Sequence, residues 1–96
     1  MTVTVKVRLL GIFRGFLGKS HLSLELEQAT VRNVIQTIAE SLSTEAKRLL
    51  IDIELNDPRP NALILLNGRE INVLNGLETE VKEGDEVTLV PVSHGG

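Results

Sequence analysis

Glu86-Val87-Thr88-Leu89-Val90-Pro91-Val92-Ser93-His94-Gly95-Gly96 closes the sequence, and its reading decides the fold. Residues 86–92 read as a β-strand. Val87 and Leu89 share one face, and Val90 and Val92 fall on the other. If Val87 and Leu89 face a helix, Val90 and Val92 face outward beside the last four residues. The strand then runs through Ser93 and His94 into two glycines, residues without a Cβ. Such residues lie extended in a channel that would clash with any other side chain. The expectation is a folded domain over residues 1–92 and a flexible tail over 93–96, with the α-carboxylate of Gly96 as the reactive group.

Working outward, Thr2 to Leu10 also alternates: Val3, Val5, Val7 and Leu9 against Thr4, Lys6 and Arg8. Period two over this length predicts a half-buried strand. Gly11, Gly15 and Gly18 punctuate what reads as a loop. Leu22, Leu24 and Leu26 then alternate with Ser23, Glu25 and Glu27, which predicts an antiparallel hairpin with the first strand. Thr30 is placed to cap a helix whose stripe is Val31, Val34, Ile35, Ile38, Ala39 and Leu42. A shorter helical piece is expected from Thr44 to about Leu50. Two prolines make residues 56–61 a loop. Ala62 to Leu66 is a continuous apolar strand, expected to be covered on both faces or to lie at a contact surface. Asn67-Gly68 signals a tight turn, and Arg69 to Val73 reads as another short strand.

The order is ββαβββ, an α+β pattern. The helix stripe needs one face of a mixed five-stranded sheet. The simplest arrangement is a β-grasp (ubiquitin-like) fold, with the first and last strands side by side in the centre. It puts the chain's end at a sheet edge, projecting outward.

Composition excludes several functions. The 96 residues suit one domain with a modest core. Phe13 and Phe16 are the only aromatics and the net charge is −3, so direct nucleic-acid binding is not expected. There is no cysteine, which removes disulfides, thiolate metal sites and thiol nucleophiles, and fits a cytoplasmic protein. No apolar run reaches the roughly 20 residues a membrane span needs, and no signal peptide is visible.

A resemblance emerges in the residues themselves. Gly11-Ile12-Phe13, Thr30-Val31 and Ile64-Leu65-Leu66-Asn67-Gly68-Arg69 resemble the MoaD/ThiS-type sulfur carriers of the ubiquitin-like superfamily. The match is sharpest in Leu74-Asn75-Gly76-Leu77-Glu78-Thr79, Lys82-Glu83-Gly84-Asp85-Glu86-Val87 and the final Gly-Gly. The chain is especially similar to archaeal MoaD-like proteins and small archaeal modifiers. Two features depart from that pattern. Val90-Pro91-Val92 holds one proline where two are usual, and His94-Gly95-Gly96 is closer to the eukaryotic ubiquitin-related modifier.

The resemblance implies a carrier rather than an enzyme. An E1-like partner would use ATP to adenylate Gly96, and sulfur would then convert it to a thiocarboxylate. No cofactor is expected on the carrier itself. Implied onward partners are the molybdopterin synthase large subunit, a tRNA thiolation enzyme, or target proteins joined through isopeptide bonds. Ser93, His94 and Gly95 would thread the partner's channel, and Val90, Val92, Leu10 and Arg69 would dock, with one outward pair of Leu63/Leu65 or Ile64/Leu66. The rival readings are a β-grasp interaction domain without covalent chemistry and an obligate small subunit of molybdopterin synthase.

Other residues carry less. His21 and His94 lack acidic neighbours at ligand spacing, so no metal site is expected. Asp85 reads as a turn residue bonding nearby backbone. The Gly11, Gly15, Gly18 spacing lacks the Gly-Lys-Ser/Thr ending of a phosphate loop and opens no helix.

Overall fold

A computed structural model describes residues 2–27 and 29–92. Five strands form one sheet in the order β2-β1-β5-β3-β4. They are β1 (Val3–Leu9), β2 (His21–Leu26), β3 (Ala62–Leu66), β4 (Arg69–Glu70) and β5 (Glu86–Pro91). The first and last strands pair in parallel, Lys6 opposite Glu86 through Leu9 opposite Leu89. β2 pairs antiparallel with β1, and β3 antiparallel with β5. This is the expected mixed sheet with β1 and β5 inside it. The edge placement of the chain's end needs correction, because β5 is the central strand. The chain reaches Val92 at the sheet's end, between β1 and β3.

Helix α2 (Val31–Glu40) lies across one face of the sheet. Its start is built from the sequence as expected. Thr30 Oγ1 accepts from the Asn33 amide at 3.2 Å, and the Asn33 side chain accepts from the Thr30 amide at 3.1 Å. Together these satisfy two orphan N–H groups. Val31, Val34, Ile35 and Ile38 bury against Val5, Val7, Leu9, Ile64, Val87 and Leu89. Each such side chain contributes roughly 2 kcal/mol on leaving water. A second helix, α3 (Thr44–Leu50), is capped by Ser43 and buries Ala46 and Leu50.

Two expectations fail locally. The glycine-punctuated loop after β1 contains a six-residue helix, α1 (Ile12–Leu17), which plants Phe13 in the core. Phe16 and Leu17 pack beside it, so the spacing of 13, 16 and 17 held the helical signal. The strand read over Arg69–Val73 ends after two residues, and Ile71–Val73 is a 3₁₀ turn. The Glu70 carboxylate accepts from the Asn72 amide and side chain, which winds the chain back on itself. Of the two alternatives for β3, cover on both faces is excluded and an open face remains: Ala62, Ile64 and Leu66 are buried, while Leu63 is exposed.

The turn between β3 and β4 follows its residues. Asn67 has φ 50° and Gly68 φ 84°, the paired positive values of the tight hairpin turn that Asn-Gly favours.

Candidate functional site

The outward face of the sheet changes character along its length. Register places Lys6 beside Glu86 and Arg8 beside Thr88. Two residues further, the same alternation sets Leu10 beside Val90, and Val90 lies opposite Leu63. Leu10, Val90 and Leu63 therefore form an apolar row across three strands, with Val92 one step beyond. Val92 and Leu63 are 40% and 38% exposed, and Ile12 at the start of α1 is 52% exposed. Away from this end the rows turn polar: His21, Arg8, Thr88, Leu65 and Glu70, then Ser23, Lys6 and Glu86.

Of the expected docking residues, Leu10, Val90 and Val92 come together on this face, and Leu63 of the Leu63/Leu65 pair joins them, while Leu65 lies one row away opposite Thr88. The Ile64/Leu66 pair lies in the core. Arg69 is placed elsewhere. It pairs with core-facing Leu66, whereas Glu70 pairs with outward-facing Leu65. Ser93, His94, Gly95 and Gly96 lie outside the described residues.

Two residues to which the sequence assigns no role at this end hold the strand where it stops. The Val92 amide donates to the Asn61 carbonyl at 3.0 Å. On the other side Pro91 lies over Gly11: a Cβ built on Gly11 would sit 2.7 Å from Pro91 Cγ. Asn61 is itself positioned by a polar clasp. Its amide and that of Ala62 donate to the Pro58 carbonyl, at 3.0 and 2.9 Å. Arg59 makes a forked pair with Asp57 and reaches Asn72 Oδ1 at 3.3 Å. Hydrogen bonding from the Arg59 side chain holds the Asp57 carboxyl below its ordinary 3.8, and Asp57 in turn raises Arg59.

Asp85 is a turn residue, as read. Its carboxylate accepts from the Lys82 amide at 2.8 Å and from Asn67 Nδ2 at 3.0 Å. Among the described residues no group of three or more His, Asp or Glu side chains is placed to hold a metal. No helix among them is long and apolar enough to cross a membrane.

The family model for Urm1 (Ubiquitin related modifier) matches residues 5–96. The chain belongs to this family. It is 34% identical over 95 residues to a protein of Archaeoglobus fulgidus provisionally named a sulfur carrier protein, covering 98% of this chain and 100% of the relative. It is 30% identical to small archaeal modifier protein 3 of Haloferax volcanii, covering 96% and 98%. The solution structure of small archaeal modifier protein 1 from Methanosarcina acetivorans superposes with a TM-score of 0.81 at 28% identity, over 100% of this chain and 99% of that one. The β-grasp fold is thereby shared with ubiquitin-like modifiers.

Proposed function

We propose that the chain is a sulfur carrier and protein modifier whose working group is the α-carboxylate of Gly96. The observation that carries this is the family match, which runs through the Gly95-Gly96 ending. The names of the archaeal relatives support both roles.

The chemistry follows from the carboxylate. With a pKa near ~3.5 it is ionised at neutral pH and is a poor electrophile. An E1-like partner removes that obstacle with ATP: a carboxylate oxygen attacks the α-phosphorus, pyrophosphate leaves, and an acyl-adenylate forms. A hydrosulfide equivalent attacking the acyl carbon expels AMP and leaves a thiocarboxylate. An amine of a target lysine attacking the same carbon expels AMP, loses a proton and leaves an isopeptide. Either way the catalytic groups belong to the partner. The carrier supplies a surface and a reach.

Residues 93–96 span at most ~13 Å when extended, enough to enter a partner's site while the domain stays outside. The row of Leu10, Val90 and Leu63, with Val92, lies where the chain leaves β5. An apolar patch there is the docking surface this reading needs. His94 contributes to recognition in the channel.

The test is to incubate the protein with its host's E1-like enzyme, ATP and a sulfur donor, then measure intact mass. An oxygen-to-sulfur exchange that needs Gly96 is the expected result. Absence of adenylate, thiocarboxylate and conjugate under all such conditions would favour a non-covalent interaction domain. Tight co-purification with a molybdopterin synthase large subunit would narrow the downstream acceptor.

A further inference from the structure

Gly11 has φ 55° and ψ −134°. That is the mirror image of an extended polyproline conformation, open to glycine and strained for an L-residue. The chain turns there from β1 into α1. The Leu10 amide still bonds the Leu89 carbonyl at 3.1 Å, and by Phe13 the chain has entered the helix and the core. The turn presents bare backbone to β5. Pro91 occupies that space: an added Cβ on Gly11 would stand 2.7 Å from its Cγ and 3.3 Å from its Cδ. Contacts under 3.0 Å are not made by real Cβ atoms, and both contacted atoms belong to a closed ring with little freedom to move aside.

Pro91 costs no hydrogen bond at this place. Asn67 donates to Glu86, and Val92 donates to Asn61. Residues 86, 88, 90 and 92 are therefore the hydrogen-bonded positions toward β3, and 91 is not. On the other side the ladder with β1 has ended at Leu9 opposite Leu89. The position accepts a ring that donates nothing, and the ring fills the space where a Gly11 side chain would stand. Beyond it, Val92 is tied to Asn61 on the opposite flank.

We infer that Gly11 is a positioning residue: its close approach to the Pro91 ring, with the Val92–Asn61 bond, sets the direction in which the chain leaves the sheet. Gly11 touches no reacting atom. It acts through Pro91 on where the working end is delivered. The functional arm of this inference rests on the carrier reading above; its structural arm does not.

The experiment compares Gly11→Ala, Pro91→Ala and the double variant, with two readouts. The first is hydrogen exchange of the Val92 amide, measured by NMR on the full chain. The second is kcat/KM for adenylation by the E1-like partner. Gly11→Ala is expected to speed Val92 exchange and to lower kcat/KM by about tenfold or more, since small misplacements of a reacting group have large kinetic effects. Pro91→Ala, which removes the ring from Gly11, is expected to move both readouts in the same direction but by less, about threefold. The double variant returns to the Pro91→Ala level even where its Tm remains lowered by the strained backbone. A merely structural role would move Tm and the two readouts together and would show no such recovery. If Gly11→Ala does not fold, the double variant is expected to fold. Failure of both would assign the defect to backbone strain alone and overturn the inference. So would a Gly11→Ala protein with wild-type exchange, or a double variant as impaired as the single. If the wild type is never adenylated, the carrier reading fails, while Val92 exchange still decides the positioning role.

Discussion

At one end of the sheet the turn over Lys82–Asp85 and the Asn67-Gly68 hairpin are laced by side chains. At the other, Val90, Pro91 and Val92 run out past Leu10 and Leu63 with apolar side chains turned toward solvent. The laced end joins residues far apart in sequence. Glu83 Oε1 accepts from the Thr4 amide at 2.9 Å, and the Gly84 amide donates to the Thr4 carbonyl at 2.8 Å. Asp85 bridges Lys82 and Asn67, and Asn67 Oδ1 accepts from the Glu86 amide at 2.9 Å. These bonds lock β5 to β1 and β3 where β5 begins. Where β5 stops, the ties are the Val92–Asn61 bond and the ring over Gly11. On the carrier reading proposed above, the difference separates stability from recognition along a single strand, with the anchored start holding the register of the end proposed to dock.

The largest effect should come from breaking what both ends share. Leu89 is fully buried between them. Leu89→Ala should cost about 3 kcal/mol, from lost transfer energy and the cavity left behind. Urea unfolding should show one transition shifted to a lower midpoint. A folded protein with normal stability would mean that the core is not common to the two ends.

Asp85→Ala should come next, at about 2 kcal/mol, because it removes the acceptor of two hydrogen bonds made to a charged group. Adenylation at 25 °C should be unchanged while the protein remains folded. A kinetic loss without a stability loss would break the separation between the ends.

Val92→Asp is the converse. The residue lies beyond the last β5 position and is partly exposed. Stability should shift by no more than about 0.5 kcal/mol. Binding to the activating partner should weaken about tenfold, roughly 1.4 kcal/mol, when a charge enters an apolar contact. Calorimetric titration against the partner measures it.

Much of this contrast was legible before the structure. The alternation of β1 and β5, the stripe of α2 and the Thr30 cap come from residues whose neighbours in sequence are also their neighbours in space. Asp85 was read as a turn residue because its partner Lys82 is three positions away. Its second partner, Asn67, lies 18 residues off and could not be read. The α1 helix was hidden by Gly11, Gly15 and Gly18, since local propensity spoke for a loop while burial of Phe13 decided for a helix. The strand expected at Arg69–Val73 stops after Glu70, because the Glu70–Asn72 bonds wind the following segment into a turn. At the site, Val90 and Val92 were visible from period two alone. Gly11 and Asn61 were not, because nothing local says that Pro91 and Val92 lie against them.

The smallest effect tests an ionic clasp near the open end. Asp57 and Arg59 hold the loop that delivers Asn61 to Val92. The Arg59 side chain, by hydrogen bonding, lowers the Asp57 pKa in the folded state below 3.8. A depressed folded-state value means that the pair's contribution is fully present above the unfolded pKa and is lost as pH falls through the folded one. The Arg59 side chain is 40% exposed, so solvent screening limits the contribution to about 0.5 kcal/mol. Asp57→Asn should therefore lower stability by that amount at pH 7 and by less at pH 3, below the unfolded-state pKa of 3.8, where protonation of the unfolded chain draws the two proteins together. Urea midpoints at both pH values measure the difference. A gap that widens in acid would mean that folding raises the Asp57 pKa instead of lowering it. A faster Val92 amide exchange in Asp57→Asn at pH 7, with the Lys82–Asp85 turn unaffected, would show that the clasp acts only on the end where the chain leaves the sheet.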